Sequence, residues 1–185
     1  MTRFVVFLRA INVGGHIVTK AKLQEAFTCL GYQNVSTHKQ SGNVILETDE
    51  ADPTKIKRKV EVKLRELLGY DVAAFVRTIP QLKAIVNLEP FNGYDKEGIS
   101  FLITFLVDAP LEFPLKLPLN IPKSTAQIIS ASGNEVFSIT HGGGEGGLPN
   151  PFLEAKLKLK ATTRNMNTIA EIVEKFPERE AKEKS

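Results

Sequence analysis

The sequence predicts an α+β protein of two halves, and three observations carry that reading. A run apolar at every position, Phe4 to Leu8, feeds a helical pattern; a hairpin signal follows it; and a second strongly apolar run, Ser100 to Val107, lies well beyond the first. Runs this continuous belong to strands covered on both faces, not to strands that alternate between core and water.

The elements follow in order. Thr19 precedes Lys20 to Leu30, where Leu23, Phe27 and Leu30 recur at helical spacing and Gly31 supplies the stop. Cys29 falls among these residues and reads as a core or near-core side chain. Asn34 to His38 and Val44 to Thr48 read as short strands joined by Gln40-Ser-Gly-Asn43, turn chemistry that closes a hairpin. Pro53 opens a longer helix with Ile56, Val60, Leu64, Leu67 and Leu68 on one stripe, ended by Gly69, and Val72 to Arg77 is the next strand. The order β-α-β-β-α-β is the split βαβ, or ferredoxin-like, plan.

In the second half, Pro80 to Asn87 reads as a short helix and Ser100 to Val107 as a strand. Prolines at 110, 114, 118 and 122 argue against a helix over the next stretch. Gln127 to Ser130 and Glu135 to Thr140 form a second hairpin; the Gly142 to Gly147 loop, a helix start at Pro151 to Lys158 and a final helix from Asn165 to Phe176 follow. The expected division is a ferredoxin-like half over 1–78, packed on a second, related α+β half over 79–176, with a charged tail, 177–185, that frays.

Composition excludes more than it assigns. With 42% hydrophobic and 24% charged residues in 185, the chain can bury a core. A net charge of +3 suits an anionic partner but falls short of a dedicated nucleic-acid binder. One cysteine fits a reducing compartment, the start runs into a strand pattern with no signal-peptide layout, and no apolar run spans a bilayer, so a cytoplasmic protein without a membrane role is expected. His16, His38 and His141 have no metal spacing, no cofactor motif is present, and nothing sets an oligomeric state.

Function concentrates at one edge. In the split βαβ plan the first and second strands run parallel with the third between them. The end where strand one feeds the first helix is therefore also where the hairpin turns. This places Arg9, Asn12, Gly14, Gly15, Lys20, Lys39, Gln40, Ser41 and Asn43 together beside a helix N-terminus, a setting for a phosphate or carboxylate. Turn geometry and loop hydrogen bonding account for Gly14, Gly15, Gly42 and the amides taken one at a time. Arg164 and Asn165, read as opening the last helix, join the site if that helix start reaches the same edge. The leading expectation is capture of a small anionic ligand, phosphate or nucleotide-like. The alternatives are an enzyme with His16 or His38 as base, or nucleic-acid backbone binding through the basic helix bearing Lys55, Lys57, Arg58, Lys63 and Arg65. Nucleic acid is the less favoured partner, because the third strand lacks the aromatics on which bases stack.

Four blocks carry a family resemblance: Phe7-Leu-Arg-Ala-Ile-Asn-Val-Gly-Gly15, Gln40-Ser-Gly-Asn-Val44, Asn150-Pro-Phe-Leu-Glu154 and Arg164-Asn-Met-Asn-Thr168. Together they resemble the family known as domain of unknown function 1697. The resemblance implies two ferredoxin-like halves and marks positions, but implies no activity. Three departures stand out: Ala10 where the family usually has glycine, Met166 where it has tryptophan, and a Gly142 to Gly147 loop richer in glycine and without the basic residue often found there, which argues against an anion contact by that loop.

Overall fold

A computed structural model describes residues 1–11, 17–39, 42–95, 97–108, 112–142 and 147–178. Among these run two antiparallel sheets and five helices, the predicted α+β class. The chain divides into two compact units, Met1–Lys83 together with the chain from Ile172 onward, and Ala84–Glu171.

In the first unit the order is β1 (Thr2–Arg9), α1 (Lys20–Cys29), β2 (Gln33–His38), β3 (Asn43–Thr48), α2 (Pro53–Leu68) and β4 (Ala73–Thr78). The sheet order is β2-β3-β1-β4, with β1 antiparallel to both β3 and β4. This is the order the split βαβ plan requires, because each helix must carry the chain over one intervening strand. Phe4, Val6 and Leu8 form one core with Leu23, Ala26 and Phe27 of α1 and Ile56, Val60 and Leu64 of α2. Each of these side chains other than Ala26 contributes roughly 1.5–3 kcal/mol on full burial. The odd residues Val5 and Phe7 are also wholly buried, so β1 is covered on both faces as its apolar continuity predicts. Cys29 is exposed, contrary to the sequence reading, since the helix turns Leu23, Ala26 and Phe27 to the core and Cys29 away from it.

Helix ends are set by side chains the sequence supplies. The Thr19 hydroxyl accepts from the Lys22 N–H at 3.2 Å and Asp52 from the Thr54 N–H at 2.8 Å, while Gly69 closes α2 at φ +77°. The chain leaves β1 through Ala10 at φ +62°, a left-handed conformation that alanine adopts only under strain. The glycine usual here in the resembling family answers that geometry. Ala10→Gly is therefore expected to stabilise the protein by about 0.5–1 kcal/mol, the strain of roughly 1–2 kcal/mol less glycine's extra unfolded-state entropy; denaturant unfolding checks it.

From α3 (Ile79–Asn87) the chain enters β5 (Ile99–Leu106), β6 (Leu119–Asn120), β7 (Ala126–Ser132), β8 (Glu135–His141), α4 (Pro149–Leu157), β9 (Ala161–Asn165) and α5 (Met166–Lys175). The division between the units falls within α3 and α5. The end of α5 groups with the first unit, where the Phe176 ring stands edge-on 6.2 Å from His38 and Arg3 donates to the Pro177 carbonyl.

The second sheet runs β6-β7-β8-β5-β9. Without its edge strand β6 it repeats the first sheet's order, with β5 in the place of β1, the β7–β8 hairpin in that of β2–β3, α4 for α2 and β9 for β4. No helix among the described residues stands in for α1. The proline-rich segment lies extended instead, with Phe113, Leu115, Leu117, Leu119 and Ile121 packed with Ile128, Val136 and Leu153 and the residues between them exposed. The Gly143 to Gly146 part of the glycine loop lies outside the described residues, as does the tail from Arg179.

Arg164 and Asn165 are the last two residues of strand β9, and of the two only Asn165 stands at the helix start. The β-branched Thr162 and Thr163 favour a strand, and the segment pairs with β5, Arg164 opposite Ile103 and Asn165 opposite Leu102. Asn165 also caps α5, its side-chain oxygen accepting from the Asn167 N–H at 2.9 Å.

Candidate functional site

The edge singled out in the sequence holds a cleft of about 250 Å³ within the first unit. One wall is the entry to α1, Ile17 to Lys20 with Leu23 behind; the other is the hairpin, Thr37, Lys39, Gly42 and Asn43. Topology makes this juxtaposition, because β1 and β2 end on the same side of the sheet and α1 starts there. The Thr19 hydroxyl oxygen accepts from the Lys22 N–H, a bond that does not use its own O–H, and the Leu23 N–H donates to the Thr19 carbonyl. The amides of Lys20 and Ala21, ahead of the helical ladder, form its positive end. Lys20 and Lys39 are exposed, one on each wall. No acidic side chain lines the cleft among the described residues, and none stands in the first turn of α1.

The hairpin wall owes its shape to two residues. Gly42 adopts φ +69° and its carbonyl accepts from the Leu8 N–H at 2.8 Å, tying the turn to the end of β1. Asn43 is buried and its side-chain amide donates to the His38 carbonyl at 3.0 Å, closing the hairpin from within.

Of the residues predicted for the site, Lys20, Lys39 and Asn43 meet in the cleft. Asn12, Gly14, Gly15, His16, Gln40 and Ser41 lie outside the described residues. Arg9 does not line the cleft among the described residues. Leu8 points to the helix-covered core, and alternation along β1 sends Arg9, opposite Ala73, to the other face. His38 is likewise absent from the lining. It pairs with Asn43 and is buried with its ring near Phe176. Thr37 is a lining residue that sequence reasoning missed, although its place one residue from the end of β2, at the hairpin edge, marks it.

Arg164 belongs to the second unit. It is buried, donates at 2.8 Å to the Thr162 hydroxyl and to the Thr163 carbonyl, and desolvation lowers its pKa to about 10. These bonds stiffen β9. The Asn150 to Glu154 block does similar work: the Thr163 hydroxyl bonds the Asn150 side chain at 3.1 Å, and Glu154 accepts from the Ala161 N–H at 2.8 Å. Both contacts fasten α4 to β9.

No group of three or more His, Cys, Asp and Glu side chains that could hold a metal ion occurs among the described residues. No helix there is long and apolar enough to cross a membrane.

Comparison with solved structures finds similarity to the conserved bacterial protein SP0830 from Streptococcus pneumoniae, with a TM-score of 0.67, 18% identity, and coverage of 94% of this chain and 97% of that one. At that identity the likeness shows a shared fold. No curated protein matches the chain. The family model described as protein of unknown function (DUF1697) matches residues 1–137, which take in the N-terminal polar edge and both of its segments. On that match, with the motifs at Phe7 to Gly15 and Gln40 to Val44, the chain belongs to the DUF1697 family.

Proposed function

We propose that the protein is a cytoplasmic binding protein that captures a small anion, a phosphate or the phosphate group of a nucleotide, in the cleft at the start of α1. The observation that carries this reading is the lining itself: a helix N-terminus between Lys20 and Lys39, hydroxyls from Thr19 and Thr37, and no carboxylate among the described lining residues. An anion there receives backbone N–H groups and two flanking cations without meeting a like charge. Arg9, first in line on sequence grounds, is replaced by Lys39 as the cationic partner of Lys20. The single cysteine, exposed and without a disulfide, fits the reducing compartment.

A thermal-shift titration with inorganic phosphate and with AMP tests the reading. Wild type is expected to be stabilised in proportion to ligand occupancy. Lys20→Gln/Lys39→Gln, at two exposed positions, is expected to fold normally and to bind about tenfold or more weakly, which corresponds to about 1.4 kcal/mol or more. No shift with either ligand, or a shift indifferent to both lysines, overturns it.

A further inference from the structure

On the outer side of the first unit, away from the cleft described above, α2 and the end of α1 enclose an open groove of about 460 Å³. Its floor is apolar: Val62 is 59% exposed, and Leu30 lies half-buried beside it. Its rim is basic, with Arg58, Lys59 and Lys63 around the two aliphatic side chains and Glu66 at one end. Of the other cations on α2, Lys55 faces Glu50 at 3.7 Å and Arg65 faces Asp71 at 3.4 Å. The three rim cations have no ion pair among the described residues. The helix periodicity explains the arrangement. Ile56, Val60 and Leu64 take the core stripe, which leaves Arg58, Lys59 and Val62 on one outward face.

An apolar centre within a rim of three cations and one carboxylate, net positive, selects its complement. We infer that this groove docks an acidic peptide segment that carries an aliphatic anchor residue, the anchor over Val62 and Leu30 and its flanking carboxylates on Arg58, Lys59 and Lys63. A nucleic-acid backbone would satisfy the cations but place nothing apolar on the floor, and no aromatic side chain lines the groove for base stacking. A lipid surface needs a broad apolar face, and Val62 is the large aliphatic residue exposed on this stretch of α2.

The test uses the full chain and fluorescence anisotropy with a labelled Glu-Asp-Leu-Leu-Asp-Glu peptide, beside the same peptide with both leucines replaced by serine, an oligothymidylate, and phosphatidylserine vesicles. The leucine peptide is expected to bind saturably and about tenfold or more tightly than the serine peptide. Val62→Asp, at an exposed position, and Arg58→Gln/Lys59→Gln/Lys63→Gln are each expected to weaken it about tenfold or more. Equal binding of the two peptides, tighter binding of oligothymidylate or vesicles than of the leucine peptide, or no saturable binding at about 1 mM peptide overturns the inference.

Discussion

Replacing Gly42 with alanine is expected to cost about 2–5 kcal/mol of stability, through two separable effects. The backbone sits at φ +69°, where an L side chain is strained by roughly 1–2 kcal/mol. An added Cβ would also lie 2.6 Å from Ile11 Cγ2 and 3.1 Å from Leu8 Cβ, closer than atoms in a packed core can stand, which adds roughly 1–3 kcal/mol of overpacking. Denaturant unfolding of Gly42→Ala measures the sum. A cycle with Ile11→Ala separates the parts: removing Cγ2 relieves the clash but not the dihedral strain, so the double variant should be more stable than additivity predicts by about 1–3 kcal/mol. Strict additivity would place the whole effect in the backbone. The substitution also moves one wall of the cleft, so any loss of phosphate binding in Gly42→Ala is read beside the two lysines and not alone.

Glu47→Ala is expected to destabilise by about 3–5 kcal/mol, the usual result of removing one member of a buried ion pair. Glu47 is 2% exposed on the sheet face opposite α1 and α2. Arg3 grips one of its oxygens through Nη2 at 2.6 Å and Nε at 3.1 Å, and the Asn34 side chain donates to the other at 2.6 Å. Arg3 also holds the Pro177 carbonyl, so the carboxylate indirectly orients the contact that retains the chain after α5. The alanine variant leaves a largely buried guanidinium and an amide without their acceptor. Glu47→Gln keeps the shape and one acceptor and should fall between wild type and alanine. Arg3→Ala/Glu47→Ala should cost less than the two single changes added together; a loss below about 1 kcal/mol for Glu47→Ala, as for an ordinary surface pair, contradicts this account.

How much of this was legible in the sequence depends on what buries each element. In the first unit the signals are apolar and periodic: Phe4 to Leu8 is continuous, Ile56, Val60 and Leu64 keep helical spacing, and Gly69 closes a helix. Strand order follows from those elements. Strand β9 was missed because its buried residues are polar. Thr163 is satisfied by Thr104 at 2.8 Å and by Asn150, and Arg164 by Thr162, so hydrogen bonds do what apolar side chains do elsewhere. In the proline-rich segment the prolines announce the absence of a helix, yet the alternation from Phe113 to Ile121, the sign of an extended strip on a core, sits in plain view between them. The site divides the same way. The topology brought Lys20, Lys39 and Asn43 to one edge, whereas Arg9 required a parity argument: once Leu8 is assigned to the helix side, period two sends Arg9 to the opposite face. Cys29 needed the full helical wheel rather than proximity to Phe27.

Anion capture at the start of α1 can be followed residue by residue in a ¹⁵N–¹H correlation titration of the full chain with inorganic phosphate. Saturable shifts led by the backbone amides of Lys20 and Ala21, with Lys39 following, are expected, together with their loss in Lys20→Gln/Lys39→Gln. Phosphate that leaves those amides unmoved, or shifts only the residues of α2 around Arg58 and Lys63, contradicts it.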